Sequence, residues 1–214
     1  MTIYARIRKK VRDICAIRYR PKICEKMRNQ LTNKDFTLIS SNCISGILSH
    51  DLGLEFRSPT VNLFFTADDF VKFCLHLDEY LKEELISDDE MSKEKGYPVS
   101  RLWDIHLYGV HYHSHHELMN AWNRRKERIN HNNLFICMTD RNDCTNETVA
   151  QFAKVPYPKV LFSHKPYSEY PFVVYVPDFS KESEVGQLQF YADMQGHRYY
   201  EKYFDWTSWL NKYE

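Results

Sequence analysis

No stretch of the 214-residue sequence approaches the roughly 18 consecutive apolar residues that a bilayer-spanning helix needs. The N-terminus also lacks the continuous apolar core of a secretory signal. A cytoplasmic protein is expected. The phosphate loop GxxxxGK[ST], the dinucleotide fingerprint GxGxxG and the nucleophile elbow GxSxG are missing too, which argues against kinases and dehydrogenases of the usual types. Glycine and proline are scarce, at 6 and 8 residues, and with 43% hydrophobic content this composition belongs to a globular chain rather than a disordered one. The six cysteines lie far apart without a CxxC pair, the usage of reduced thiols rather than of a disulfide framework.

What the chain has in quantity is aromatic surface and an uneven charge. Its 15 Tyr, 13 Phe and 4 Trp suit stacking on carbohydrate as well as ordinary core packing. Basic and acidic residues number 29 each, yet residues 1–30 hold ten Lys/Arg against Asp13 and Glu25, a net of +8 that the remainder balances with −8. Ile3, Tyr4, Ile7, Val11, Ile14, Cys15, Ile17 and Tyr19 intersperse those cations. The predicted basic, amphipathic helical segment over 1–33 would meet the anionic inner leaflet of a membrane, or pack on the acidic body of its own chain. Nucleic acid is not the expected partner.

Residues 34–214 read as a single α/β domain. Apolar β-type runs at Phe36–Ile39 and Leu134–Thr139 each break into a polar loop from which a helix starts. Shorter runs follow at Val160–Ser163 and Phe172–Val176. Another β-type run is expected to end at Phe65, a long helix over Thr66–Ile86, a solvated loop over Ser87–Gly96, and an ambiguous segment over Tyr97–Tyr112. Ser114 with Glu117 forms a capping-box pattern at the head of a helix over Ser114–Asn130, and Tyr199–Tyr213 looks helical and aromatic. Strands alternating with helices predict a Rossmann-like, mostly parallel central sheet flanked by helices. In such sheets ligands bind beyond the carboxyl ends of the strands.

Ser41, Asn42 and Cys43 stand where the first strand should give way to a helix. There backbone N–H groups and the helix dipole favour a thiolate or oxyanion, so Cys43 or Ser41 is a candidate nucleophile. Gly46 would let substrate approach the backbone. His50, His111 and His113 are candidate bases, with His111 preferred and Asp104 placed to orient it. The histidines at 106, 111, 113, 115 and 116 lack a dependable third ligand, so no metal site is expected. Arg124, Arg125 and Arg128 would form a cationic ridge able to dock CoA or nucleotide phosphates, or else a solvated helix face. Asp140 would bind a sugar hydroxyl or a metal, or simply form a turn.

Several blocks together resemble a bacterial family described as exopolysaccharide or capsule biosynthesis proteins: FTLISSNCISG, DLGLEFRSPTVNLF, DFVKF, LWDIHLYGVHY, AWNRRKERIN, NLFICMTDRNDCT and KVLFS. Where that family carries Asn-Asn-Cys-Trp-Gly-Gly, this chain has Ser41 to Gly46 as SNCISG. Its strand-Asn-Cys loop in turn looks like the opening loop of a polysaccharide acetyltransferase family with an SGNH-hydrolase-like core. The resemblance implies a cytosolic surface-polysaccharide enzyme that moves an acetyl group from acetyl-CoA to a hydroxyl of a carbohydrate or lipid-linked sugar. Cys43 or Ser41 would attack, Asn42 donate to the oxyanion, His111 act as base, and Arg124 or Arg125 hold the CoA phosphates. Arg57 counts among the substrate-binding candidates, and no tightly bound cofactor is expected. A nucleotide-sugar-dependent glycosyltransferase using Asp68 and Asp140, and a non-catalytic partner of a polysaccharide assembly, are the alternatives.

Overall fold

The computed structural model describes residues 3–212, with side chains from residue 6 onward. Ile3 and Tyr4, counted above in the apolar pattern of the first helix, and Tyr213 therefore have side chains outside the described set. The elements run α1 (Ile3–Gln30), β1 (Thr37–Ser40), α2 (Ile44–Leu52), α3 (Ala67–Leu75), α4 (Leu77–Tyr80), β2 (Leu85–Ser87), α5 (Asp89–Lys95), β3 (Val99–Leu102) and β4 (Ile105–Tyr108). After them come α6 (His115–Lys126), β5 (Leu134–Thr139), α7 (Asn146–Phe152), β6 (Lys159–Ser163), β7 (Val173–Tyr175), α8 (Tyr199–Lys202) and α9 (Trp206–Asn211).

Four strands form an all-parallel sheet in the order β1-β5-β6-β7, with Ser40 opposite Cys137 and Thr139 opposite Phe162. The fold is α/β and Rossmann-like. Every residue of β5 is buried, as an apolar run covered on both faces requires. The twofold alternation of a strand divides it between two cores. Leu134, Ile136 and Met138 join Phe70, Phe73 and Trp122 on one face, and Phe135 and Cys137 join Leu48, Phe162 and Trp206 on the other. The hairpin β2-β3-β4 makes a second, antiparallel sheet. Because β1, β5 and β6 point the same way, Ser41, Asp140 and His164, each the first residue past its strand, share one rim.

Four local expectations are revised. The helix expected over 66–86 breaks at His76, whose φ of −123° leaves the helical region, and continues as α4 and then β2. The charged segment 87–96 is a helix rather than a loop. Asp88 caps it by accepting from Met91 N at 2.9 Å, and Gly96 closes it with φ 77°. None of its residues is buried, so charge marks a solvated helix there and not the absence of one. The run expected to be a strand ending at Phe65 folds into turns, with Asn62 at φ 67° and a single bridge from Phe64 to Tyr108. The ambiguous segment 97–112 holds the hairpin of β3 and β4.

α1 is fastened to the body through its second half. Arg20 is buried and forms two bonds to Glu201, at 2.6 and 2.7 Å, and one to Asp51 at 2.5 Å. Arg198 also reaches Asp51, at 3.1 Å. A Cβ on Gly196 would stand 2.9 Å from both Ala16 O and Arg20 N, so only glycine lets the C-terminal segment pass this close to the helix. Asn211 finishes the clamp, donating to Gln30 O at 2.8 Å and accepting from Asn33 N at 3.1 Å.

Candidate functional site

Beyond β1 the chain turns through Ser41, Asn42 and Cys43 into α2, and the turn is built from its own polar groups. Ser40 Oγ donates to Asn42 O at 2.9 Å, while Asn42 Oδ1 accepts from Ile44 N at 3.1 Å and so satisfies the first amide of the helix from outside it. Asn42 Nδ2 donates to Thr139 Oγ1 at 2.9 Å, which ties the loop to β5. This amide is committed inward rather than turned to an oxyanion. Ser41 is buried, with its Oγ accepting from Thr139 N at 3.4 Å, so its hydroxyl is a structural acceptor.

Cys43 occupies the N-cap position of α2 and is half-buried. Its Sγ lies 3.4 Å from His111 Nε2, a contact between residues 68 apart in sequence. Burial pushes the Cys43 thiol above its ordinary pKa, so the resting group is a neutral thiol with a base in contact rather than a preformed thiolate.

The loop that presents His111 is tightly determined. Gly109 N donates to Pro98 O at 2.8 Å, and a Cβ on Gly109 would come within 2.5 Å of Leu118 Cδ1. The next residue after His111, Tyr112, is buried, and its hydroxyl donates to Val61 O at 3.0 Å. Arg125 Nη1 donates both to Tyr112 Oη at 2.7 Å and to Val61 O at 2.9 Å. Val61 then packs on Gly46 in the first turn of α2, where an added Cβ would lie 3.0 Å from Val61 Cγ1. One continuous set of contacts, Arg125–Tyr112–Val61–Gly46, thus positions both sides of the Cys43–His111 pair. Gly46 serves this packing.

Other candidates lie apart or are engaged. Arg125 is buried and points inward, Arg124 is exposed, and Arg128 pairs with Glu55 at 3.1 Å. The compact cationic ridge expected of the three does not form, because the helical period turns Arg125 into the core. Asp104 sits in the β3–β4 turn, at the opposite end of β4 from His111, where it accepts from Tyr80 Oη at 2.6 Å and Lys72 Nζ at 3.3 Å. It does not orient His111. Arg57 pairs with Asp35, which precedes β1 and so marks the amino rim of the sheet. Asp68 accepts from Thr148 Oγ1 at 2.6 Å, joining α3 to α7. The histidines diverge: His106 approaches Asp88, His115 contacts Ser100 and His116 contacts Asn120. His50 is exposed near the far end of α2.

Asp140 is buried at the carboxyl end of β5. It accepts from Ser163 Oγ at 2.8 Å, His164 N at 2.7 Å, His164 Nδ1 at 2.5 Å and Val185 N at 2.8 Å. Three of these donors meet Oδ2 and Val185 N meets Oδ1, so the buried Asp140 orients a buried histidine instead of facing a ligand. His164 was not singled out from the sequence, although it follows its strand directly, as Asp140 and Ser41 follow theirs. Next to this dyad, Asn142 and Asp143 hold φ of 60° and 68°. Hydrogen bonds from Asn142 Nδ2 to Phe65 O at 3.0 Å and from Ala67 N to Asn142 O at 2.9 Å maintain that turn.

The family model for a domain of unknown function, DUF1919, matches residues 15–211. The chain belongs to the DUF1919 family. An uncharacterized protein of Haemophilus influenzae is 36% identical over 203 residues, which cover 94% of this chain and 97% of that protein. The DUF1919 region takes in Cys43, His111, Asp140 and His164 together with the residues that position them. It begins at Cys15, inside α1, so the first half of that helix precedes the matched region.

Proposed function

We propose that this DUF1919 protein is an acyltransferase that carries an acetyl group from acetyl-CoA to a sugar hydroxyl in the assembly of a surface polysaccharide, working in the reducing cytoplasm. The observation that carries the reading is the 3.4 Å contact between Cys43 Sγ and His111 Nε2 at the head of α2, on the rim of a parallel sheet where ligands bind. The acceptor class rests on the resemblance of the sequence blocks to exopolysaccharide and capsule biosynthesis proteins. Of the two carboxylates that a nucleotide-sugar reading would use, Asp140 is buried among internal donors, and Asp68 is exposed and accepts from Thr148 Oγ1.

In the proposed reaction Cys43 Sγ attacks the thioester carbonyl as His111 Nε2 takes the thiol proton, which suits a thiol kept neutral by burial. Collapse of the tetrahedral intermediate expels CoA, which leaves with that proton, and the acetyl group remains on sulfur. A sugar hydroxyl then attacks the enzyme thioester and gives its proton to His111. Cys43 departs and is reprotonated from the imidazolium. With Asn42 turned inward, oxyanion stabilisation falls to the first-turn amides of α2 at Ser45 and Gly46, which have no preceding helical carbonyl to serve.

The test is CoA release from acetyl-CoA in the presence of oligosaccharide acceptors. Cys43→Ala and His111→Ala should each lower the rate at least about a hundredfold, the usual worth of a nucleophile or general base, and intact mass should show acetylation on Cys43. Full transfer by both variants would rule the mechanism out.

A further inference from the structure

The two sides of α1 differ in a way that assigns them different partners. At 100° per residue, Ala16, Arg20, Cys24 and Met27 lie along the side that meets the body, and the first three are buried. Ile7, Val11 and Ile14 fall on the opposite side and are 50–60% exposed, while Ile17, 63% exposed, lies on the flank in the direction of Cys24. An apolar stripe turned to water on a helix already clamped to its protein is uncommon for a monomer.

The charges divide in the same way. On the body side, Lys9 and Arg12 pair with Asp13 at 2.8 and 3.4 Å, and Lys9 also stands 5.5 Å from the centre of the Phe190 ring. On the outward side, Lys10, Arg18 and Lys22 are exposed and form no ion pair among the described residues. The outer face therefore carries Ile7, Val11 and Ile14 beside the cations Lys10, Arg18 and Lys22, with Glu25 the acid on that side, on a helix about 42 Å long at 1.5 Å per residue.

We infer that the outward face of α1 docks on a bilayer surface containing anionic phospholipid, with Ile7, Val11 and Ile14 entering the headgroup boundary and Lys10, Arg18 and Lys22 meeting phosphates. An exposed apolar strip beside cations is the kind of local face that an anionic membrane surface can receive. Charge decides against a second α1 as the occupant, because pairing two such faces would set cations against cations. It equally decides against zwitterionic lipid alone. The proposal is independent of the chemistry at Cys43.

The full-length protein is sedimented with vesicles of phosphatidylglycerol mixed with phosphatidylcholine, and with vesicles of phosphatidylcholine only. Pelleting with the mixed vesicles alone, weakened by added salt, is expected. The triple variant Lys10→Glu, Arg18→Glu, Lys22→Glu should weaken binding by more than about tenfold, and Ile7→Ser with Ile14→Ser by about tenfold or more. Unchanged circular dichroism would show that these surface substitutions leave the fold intact, and the N-terminal half of α1 can be deleted as an independent check. Equal pelleting with both vesicle types, no pelleting with either, or affinity unmoved by all three changes would overturn the proposal. So would concentration-dependent self-association abolished by the same variants, which would give the face to a second copy.

Discussion

Tyr112 shows how a single hydroxyl can place a neighbour's side chain. It bridges Arg125 and Val61 while His111, one residue earlier, reaches the opposite way to Cys43. Tyr112→Phe keeps the ring and removes one hydrogen-bond acceptor from a buried guanidinium, a loss of about 1–3 kcal/mol. Denaturant unfolding should register that loss, and CoA release should fall more steeply than stability because the His111 loop loosens. A variant as stable and active as the parent would show that the bridge has no positioning role. The nucleophile and base candidates were legible as residue types at a strand end and in a histidine-rich loop. Their proximity was not, since it depends on a contact across 68 positions. The burial of Arg125 is hidden in the sequence for the converse reason: three closely spaced arginines look like one patch until the helix turns one of them inward.

At the scale of the element, α1 is decided by its buried ion cluster. Burial alone would raise the pKa of Asp51, but the guanidiniums of Arg20 and Arg198 reverse this and hold it below its ordinary 3.8. The sign follows from linkage. A carboxyl depressed in the folded state contributes stability that is fully present above 3.8 and is lost as the pH falls through the folded value. Thermal unfolding between about pH 6 and pH 2 should therefore drop most below about pH 4, and Asp51→Ala should remove its share of that slope, the rest belonging to Asp104, Asp178 and Asp205, whose carboxyls are also held below 3.8. At neutral pH the same variant should cost about 3–5 kcal/mol, because it strands part of a buried positive charge. A flat profile in the parent would refute the assignment. The cationic content of this helix was plain in the sequence. Which cations turn inward was not, because Asp51, Arg198 and Glu201 come from distant segments.

For the whole molecule, the parallel sheet sets what can meet. Asp140 holds β5, β6 and the segment at Val185 together at the rim, so Asp140→Ala should lower stability by about 3 kcal/mol or more through unsatisfied buried donors. An unfolding midpoint unchanged in denaturant would mean that water replaces the carboxylate. The strands β1, β5, β6 and β7 could be found from apolar runs, and α6 from Ser114 and its period, because those signals are local. The helix α5 and the turns around Asn62 went unseen because capping by Asp88 and a left-handed Asn62 compete with simple compositional rules. Sequence alone determined the α/β class, the polar loops at the strand ends and the cationic start of the chain, since periodicity, turn chemistry and charge act over a few residues. Only the tertiary structure decided that Cys43 faces His111, that Asp140 serves His164, and that Ile7, Ile14 and Ile17 of α1, unlike the half-buried Ile23, look outward. Those outcomes come from packing between segments far apart in the chain, where burial and hydrogen-bond satisfaction select one arrangement.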